Sequence, residues 1–238
     1  MIEFVTVNDD DPALAHSPMV RAIGKTFAYI AENGPIGLTP SKAFKRVFVH
    51  WAAAEFDWPR LSEAELFSVN KVLNEMDFWP LMDIHDTLIA LKIGRHYKSS
   101  FRLTKAGQSL VDHPGRLFGV ITPFYLFEFD HLRFARMPEQ PRGNWDVFLN
   151  VLNVEAENGI TGRDIDRVFY GTHSTEQYNR DLVSLYAQVL RPLIWTGLLA
   201  EHRNMGEWVE DAVFTKTPLW HAALRLDTDD MVKPAIRH

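Results

Sequence analysis

The side chains able to do chemistry in this chain are mostly basic, and they gather in two places. Lys42, Lys45 and Arg46 recur at spacings of three and four, opposite Phe44, Val47 and Trp51. Arg95, His96, Tyr97, Lys98 and Arg102 crowd one short stretch that reads as a hairpin. Lys and Arg attract phosphate, and a ring among them offers a stacking face; an ordinary charged hairpin tip has the same composition. A third set, Gln177, Asn179, Arg180, Ser184 and Gln188, carries groups suited to base edges. Catalytic signatures are thin. Gly24-Lys25-Thr26 ends like a phosphate-binding loop, but Met19 stands where the first glycine belongs, and Gly24 sits within a helical pattern. Neither Gly-x-Ser-x-Gly nor His-Glu-x-x-His occurs. His85 and Asp86, with Asp83, are metal-ligand types, but adjacent helical positions do not face one another, so a place on the helix surface is expected. Asp227-x-Asp229-Asp230 reads as a solvated tail. We therefore expect no enzyme, no cofactor and no metal site.

Composition narrows the field further. The 238 residues, 46% apolar and 24% charged, suit a globular chain of one large or two small domains. The absence of cysteine excludes disulfides, thiolate metal centres and a cysteine nucleophile. The amino terminus lacks a basic region before an apolar one, and the apolar run Leu117–Phe127 is interrupted by Pro123 and is short of the roughly 18 residues a span requires. A cytoplasmic chain with no membrane contact is expected. Residues 1–125 carry 13 Lys and Arg against 14 Asp and Glu, and residues 126–238 carry 12 against 17. Without Glu3 and Asp9 to Asp11 the first half is net positive. A uniformly basic clamp is excluded; a local basic surface is not.

The elements that must position these residues are written twice. Ala31-Glu32-Asn33-Gly34 recurs as Ala156-Glu157-Asn158-Gly159, Leu38-Thr39 as Ile160-Thr161, and Arg46-Val47-Phe48 as Arg167-Val168-Phe169. Leu88-Ile89 matches Leu193-Ile194, and Leu103-Thr104-Lys105 matches Phe214-Thr215-Lys216. The order is kept, which points to a duplication. In the first half, Pro18 opens a helix that Asn33-Gly34 stops. Ile36-Gly37-Leu38 is extended, and Thr39-Pro40 predicts a helix burying Phe44, Val47, Phe48 and Trp51. Ser62 and Glu65 form a capping box for a helix to Leu73. A helix from Pro80 to Leu91 precedes a hairpin of 91–95 and 100–104, and Lys105–Leu110 returns to helix until His113-Pro114-Gly115. In the second half, Trp145–Glu157, Arg163–Tyr170 and a long helix capped by Ser174 lead to strands Leu198–Arg203 and Glu207–Thr215, turning at Met205. Pro218 opens the last helix.

Helix, short strand, helices and a two-stranded hairpin is the order of a winged helix-turn-helix domain. Phe101-Arg102-Leu103-Thr104-Lys105-Ala106-Gly107-Gln108-Ser109-Leu110 resembles the aromatic-x-Leu-Thr-x-x-Gly-x-x-Leu ending of many bacterial winged-helix regulators. The resemblance spans about 19–112 and, more weakly, 145–226, where Thr217-Pro218 replaces Ala106-Gly107. It implies a mainly α protein with small β-hairpins: two winged-helix domains at 18–116 and 144–226, an acidic tail at 1–17, an apolar connection at 117–143 and a tail at 227–238. It also implies double-stranded DNA as partner, with Lys42, Lys45, Arg46 and the Arg95–Arg102 hairpin on phosphates. The reading set Gln177–Gln188 would serve bases in the second copy. Against this, the helix before the first hairpin offers Asp83 and Asp86, and the second hairpin carries Glu201, Glu207, Glu210 and Asp211. The alternative is an adaptor that binds a protein partner through its acidic second half. Leu117–Met137, with Phe118, Phe124, Tyr125, Phe127, Phe129 and Phe134, either packs the copies together or seams a homodimer.

Overall fold

Apolar side chains at helical spacing set the frame, and short strands complete it. In the computed structural model, which describes residues 1–133, 140–171, 179–204 and 206–232, the chain divides into two units. One is Asn8–Ile121; the other joins Met1–Val7 to Thr122–His238. Both are mixed α/β with a three-stranded antiparallel sheet, and the second holds a further two-stranded one. No described helix is long and apolar enough to cross a membrane.

Strand β1 (Ile2–Phe4) opens the chain. The acidic stretch expected as a tail is structured, because its carboxylates have amides to bind. Asp11 caps a 3-10 turn at Pro12–His16 that buries Ala13 and Leu14. Asp9 accepts from the Gly115 and Arg116 amides at 2.9 and 3.3 Å and from His113 Nδ1 at 2.7 Å. Helix α1 (Pro18–Asn33) begins as predicted: Ser17 accepts from the Val20 amide, and Gly34 at φ 80° ends it. Met19, Ala22, Ile23 and Phe27 fill its inner face.

After strand β2 (Ile36–Gly37), the helix expected at Thr39-Pro40 does not form there. Thr39 donates its amide to Ala43 at 2.8 Å and Lys42 adopts φ 69°, so Pro40 serves a turn. Helix α2 (Arg46–Glu55) starts after Phe44, which bridges back to Leu38. The delayed start rotates the face: Val47, predicted inside, is 76% exposed, while Phe48, Val49, Ala52 and Ala53 are buried. Helix α3 (Glu63–Val69) has the predicted Ser62–Glu65 capping box and ends at Asn70, short of Leu73. A 3-10 turn, Glu75–Asp77, leads to helix α4 (Trp79–Ala90). Strands β3 (Gly94–Tyr97) and β4 (Ser100–Leu103) then pair, and β4 lies between β2 and β3. Phe101 faces Ile36 on one side and His96 on the other. Helix α5 (Lys105–Gln108) follows, and Pro114, read as a stop, opens helix α6 (Pro114–Phe127).

The Thr-x-x-Gly motif has a plain mechanical reading. Thr104 Oγ1 donates to the Lys92 carbonyl at 2.7 Å and accepts from the Gly107 amide at 3.1 Å, capping α5 and tying it to the end of α4. A Cβ on Gly107 would lie 2.2 Å from the Ile93 carbonyl oxygen. Glycine is required for that approach.

The other unit has the same plan. Helix α7 (Trp145–Glu155), strand β5 (Ile160–Thr161) and helix α8 (Gly162–Tyr170) come first. The long helix expected next is divided into α9 (Arg180–Leu185), a π-helical turn at Tyr186–Leu190, and α10 (Arg191–Thr196). Its expected cap, Ser174, lies outside the described residues, as do Gln177, Met205 and Phe134. Strands β6 (Leu199–His202) and β7 (Val213–Lys216) pair, with β7 between β5 and β6. Helix α11 (Pro218–Ala223) and strand β8 (Leu224–Leu226) close the unit, β8 pairing with β1. The described part of the expected C-terminal tail, 227–232, is anchored, since Asp229 accepts from the Leu226 amide at 3.0 Å and from Asn153 Nδ2 at 2.9 Å.

Strand pairing corrects the register of the repeat. Ile36 faces Phe101, and Ile160 faces Phe214. Thus Ile36-Gly37 corresponds to Ile160-Thr161, and Thr104 to Thr217, each two residues from the match that identity suggested. Thr217 Oγ1 donates to the Gly197 carbonyl at 2.6 Å, as Thr104 does to Lys92, and Lys92 and Gly197 both have positive φ.

Two stability predictions follow from packing and titration. Gly107→Ala is expected to lower stability by about 1–3 kcal/mol in urea unfolding, because backbone must move; Gly119→Ala, with open space at Cβ, serves as the control. His131, buried with its Nε2 donating to the Tyr125 carbonyl at 2.6 Å, has its pKa pushed down to about 4, chiefly by burial. A lowered histidine pKa costs nothing above the ordinary 6.5 and removes stability as pH falls from there through 4. His131→Gln should therefore flatten the loss of stability measured between pH 6.5 and 4.

Candidate nucleic-acid interface

The β3–β4 hairpin places its charges by strand alternation, which sends successive side chains to opposite faces. Arg95 and Tyr97 share one face, and Arg102, directly opposite Arg95, joins them. The Tyr97 ring, 43% exposed, has Arg102 Cζ at 4.9 Å, Lys98 Nζ at 5.6 Å and Arg95 Cζ at 5.7 Å from its centroid. Like charges directly across a strand pair destabilise it, and each exposed cation–π contact returns only about 0.5–1 kcal/mol. No ion pair joins any of these three cations to a carboxylate among the described residues. The hairpin tip, where Lys98 sits at φ 54°, therefore carries uncompensated positive charge on a fixed backbone.

The inner face of the same hairpin is different. His96, beside Phe101, points its Nε2 at His85 Nε2, 2.8 Å away on α4. His85 Nδ1 lies 2.6 Å from Glu75 Oε1, and the other Glu75 oxygen accepts from the Phe44 amide at 2.7 Å. Phe44 stacks on His85 at 3.9 Å. A carboxylate only accepts, so the Glu75–His85–His96 chain has a direction: His85 donates from Nδ1, and its Nε2 accepts from His96 in the neutral ring. His85 and Asp83 were expected on the helix surface; both are buried, because α4 is covered on nearly every side. The sequence held a signal for this, as His85 sits four residues after Leu81 and three before Leu88, within the apolar stripe. Glu75 had no such signal.

The predicted basic set is only partly brought together. Lys42 reaches the hairpin, its Nζ donating to the Lys98 carbonyl at 3.4 Å. Lys45 caps α2 and lays its stem over Gly37, and Arg46 donates from Nε to Asn74 at 3.0 Å. The expected helical face of Lys42, Lys45 and Arg46 does not exist, because α2 starts at Arg46. In the other set, Asn179 is committed as the cap of α9, accepting from the Leu182 amide at 3.0 Å, and Gln188 donates to Ser184 at 2.9 Å. Arg180 is exposed, and Gln177 lies outside the described residues.

Most of this chain is matched by known sequences. The family model for the Y4jL N-terminal domain matches residues 15–116, and that for the y4jL C-terminal domain matches 135–218. An uncharacterized protein y4jL from Sinorhizobium fredii (strain NBRC 101917 / NGR234) is 35% identical over 189 residues, covering 79% of this chain and 86% of its own length. The chain belongs to the Y4jL family. No solved structure matches it. The Y4jL N-terminal match takes in the complete first sheet, the Glu75–His85–His96 chain and the cation cluster.

The acidic second hairpin of this Y4jL chain is less repulsive than its composition suggested. Glu201 is paired with Arg203 at 2.8 Å and accepts from the Tyr186 hydroxyl at 2.8 Å, and Asp211 is paired with Arg163 at 2.8 Å. Glu207 closes the turn at the Asn204 amide. Burial beside Glu201 pushes the Tyr186 phenol well up.

Removing Glu75 tests whether the buried chain supports the hairpin. Glu75→Ala strands the Phe44 amide and His85 Nδ1, and should cost about 2–4 kcal/mol in chemical denaturation; Glu75→Gln, which still accepts, should cost about half as much.

Proposed function

We propose that this Y4jL-family chain is a DNA-binding, regulator-like protein built from two winged-helix units, with the β3–β4 hairpin as the wing that holds duplex DNA by its phosphates. The element order supports the fold: a helix, a two-residue strand, further helices, and a hairpin whose last strand lies mid-sheet, in both units. The observation that carries the function is the cluster of Arg95, Lys98 and Arg102 around exposed Tyr97, with no carboxylate partner among the described residues. Three cations at one ring repel one another, and the small return of exposed cation–π contacts leaves them suited to an anion from outside. The helix before the wing, α4, is buried at Leu81, Asp83, Ile84, His85, Thr87 and Leu88, so it is not offered to a major groove. Binding then rests on the backbone and minor groove.

A second reading, a protein-interaction adaptor, draws on one observation. Val47, Val69, Met76 and Trp79 of the first unit are all more than half exposed, and exposed tryptophan suits a protein partner.

Fluorescence anisotropy with a random-sequence duplex separates the two. Phosphate binding by the wing predicts affinity that falls steeply between 50 and 200 mM salt, each neutralised phosphate adding about one to the log–log slope. Replacing Arg95, Lys98 and Arg102 together by Glu should weaken binding at least about a hundredfold and reduce the slope by about three. An unchanged slope, or no binding of the parent at low salt, leaves the adaptor reading.

A further inference from the structure

We propose that DNA binding at the wing is proton-linked through His96, so that affinity rises as pH falls below neutral. The inference rests on the wing being the phosphate site, and its geometry is the Glu75–His85–His96 chain. Glu75 accepts from the Phe44 amide with one oxygen and from His85 with the other, at 2.7 and 2.6 Å, which fixes the His85 tautomer. His96 must then donate from Nε2 across 2.8 Å, leaving its Nδ1 as the basic nitrogen. A proton added there keeps the chain intact. A proton added to His85 instead would set two N–H groups against each other across the same gap.

The surroundings decide when that proton arrives. Facing His96 are His85 and Asp86 on α4, Glu75 in the turn before it and Lys42 in the turn after β2, while Arg95 and Arg102 lie on the opposite face of the hairpin and Lys98 at its tip. In the free protein, partial burial first, then His85 and Lys42, hold the His96 pKa below the ordinary imidazole value, against smaller opposing effects of Glu75 and Asp86. The free wing thus presents His96 neutral at pH 7. Phosphates seated on Arg95, Lys98 and Arg102 bring negative charge to the hairpin that carries His96 and favour the imidazolium. Binding takes up a proton between the free and bound pKa values, and affinity in that window changes by up to about tenfold per pH unit. The sign is opposite to that of a group which must lose a proton to bind.

The test is anisotropy of the full chain with the same random duplex from pH 5.5 to 8.0 at fixed ionic strength, with EDTA present. The parent should bind more tightly at pH 5.5 than at 8.0, by tenfold or more. His96→Gln, which keeps a donor toward His85 without titrating, should lose the dependence. His96→Arg, permanently charged, should bind tightly and evenly across the range. Far- and near-ultraviolet circular dichroism identifies folded variants, and either one suffices. A His96→Gln or His96→Arg protein that keeps the parental pH slope overturns the proposal, as does a parent whose salt-dependent binding shows no pH dependence; the wing assignment survives both. A parent that binds no duplex at any salt overturns the wing assignment and this proposal together.

Discussion

A strand of four residues holds little by its ladder alone, and two such strands make a hairpin that is marginal in water. The cationic hairpin of the first unit is fixed because β4 is a central strand, paired with β2 on one edge and β3 on the other. Phe101, fully buried on β4, stands edge-on to both Phe44 and His85 at 5.4 and 5.3 Å. Gly94 leaves room for that ring, since a Cβ there would meet it at 2.0 Å. Phe101 thus locks the sheet to the helices, and Arg95 and Arg102 are held face to face on the opposite side as a consequence. Their repulsion is tolerated because the inner face is so well anchored.

Comparison of the two units shows which parts of the frame are mechanical and which are chemical. Phe101 and Phe214 are both fully buried at the same place in a three-stranded sheet, and Thr104 and Thr217 both close the sheet onto the preceding helix. These positions serve folding in either unit. The charges differ. In the second unit, Arg203, Arg163 and Lys216 each have a carboxylate within 2.8 Å, whereas Arg95, Lys98 and Arg102 share a ring instead. A hairpin whose charges are paired contributes to its own stability; one whose charges are left in excess is suited to something outside the chain.

Much of the frame was legible because some residues act locally. Ser62 with Glu65, Asn33 with Gly34, and Thr104 with Gly107 each make contacts within a few residues, and the structure uses all three as caps or stops. What was illegible depended on partners far away in sequence. Pro40 after Thr39 reads as a helix start, but it serves a turn because Phe44 must reach Glu75 and Leu38. Strand register was off by two because a two-residue strand has too little alternation to fix it. The hairpin cations were visible as composition; their gathering on Tyr97 needed the pairing of Arg95 with Arg102. Glu75, His85 and His96 come from three separate elements, and only His85 betrayed its burial by its place in the apolar stripe.

The burial of α4 gives the last step. In a domain that reads a major groove, the helix before the hairpin needs a polar face free of its own core. Here the face that would be free is spent on the interior: Asp83 and Thr87 are buried and His85 is enclosed by Phe44, Phe101 and Glu75. His85 is directed at the hairpin, where it meets the exposed imidazole of His96. The same arrangement explains why the unit can lack a reading helix and still present an organised site. Charge on the outer face of the hairpin and the Glu75–His85–His96 chain on its inner face are two sides of one small sheet, held in register by Phe101.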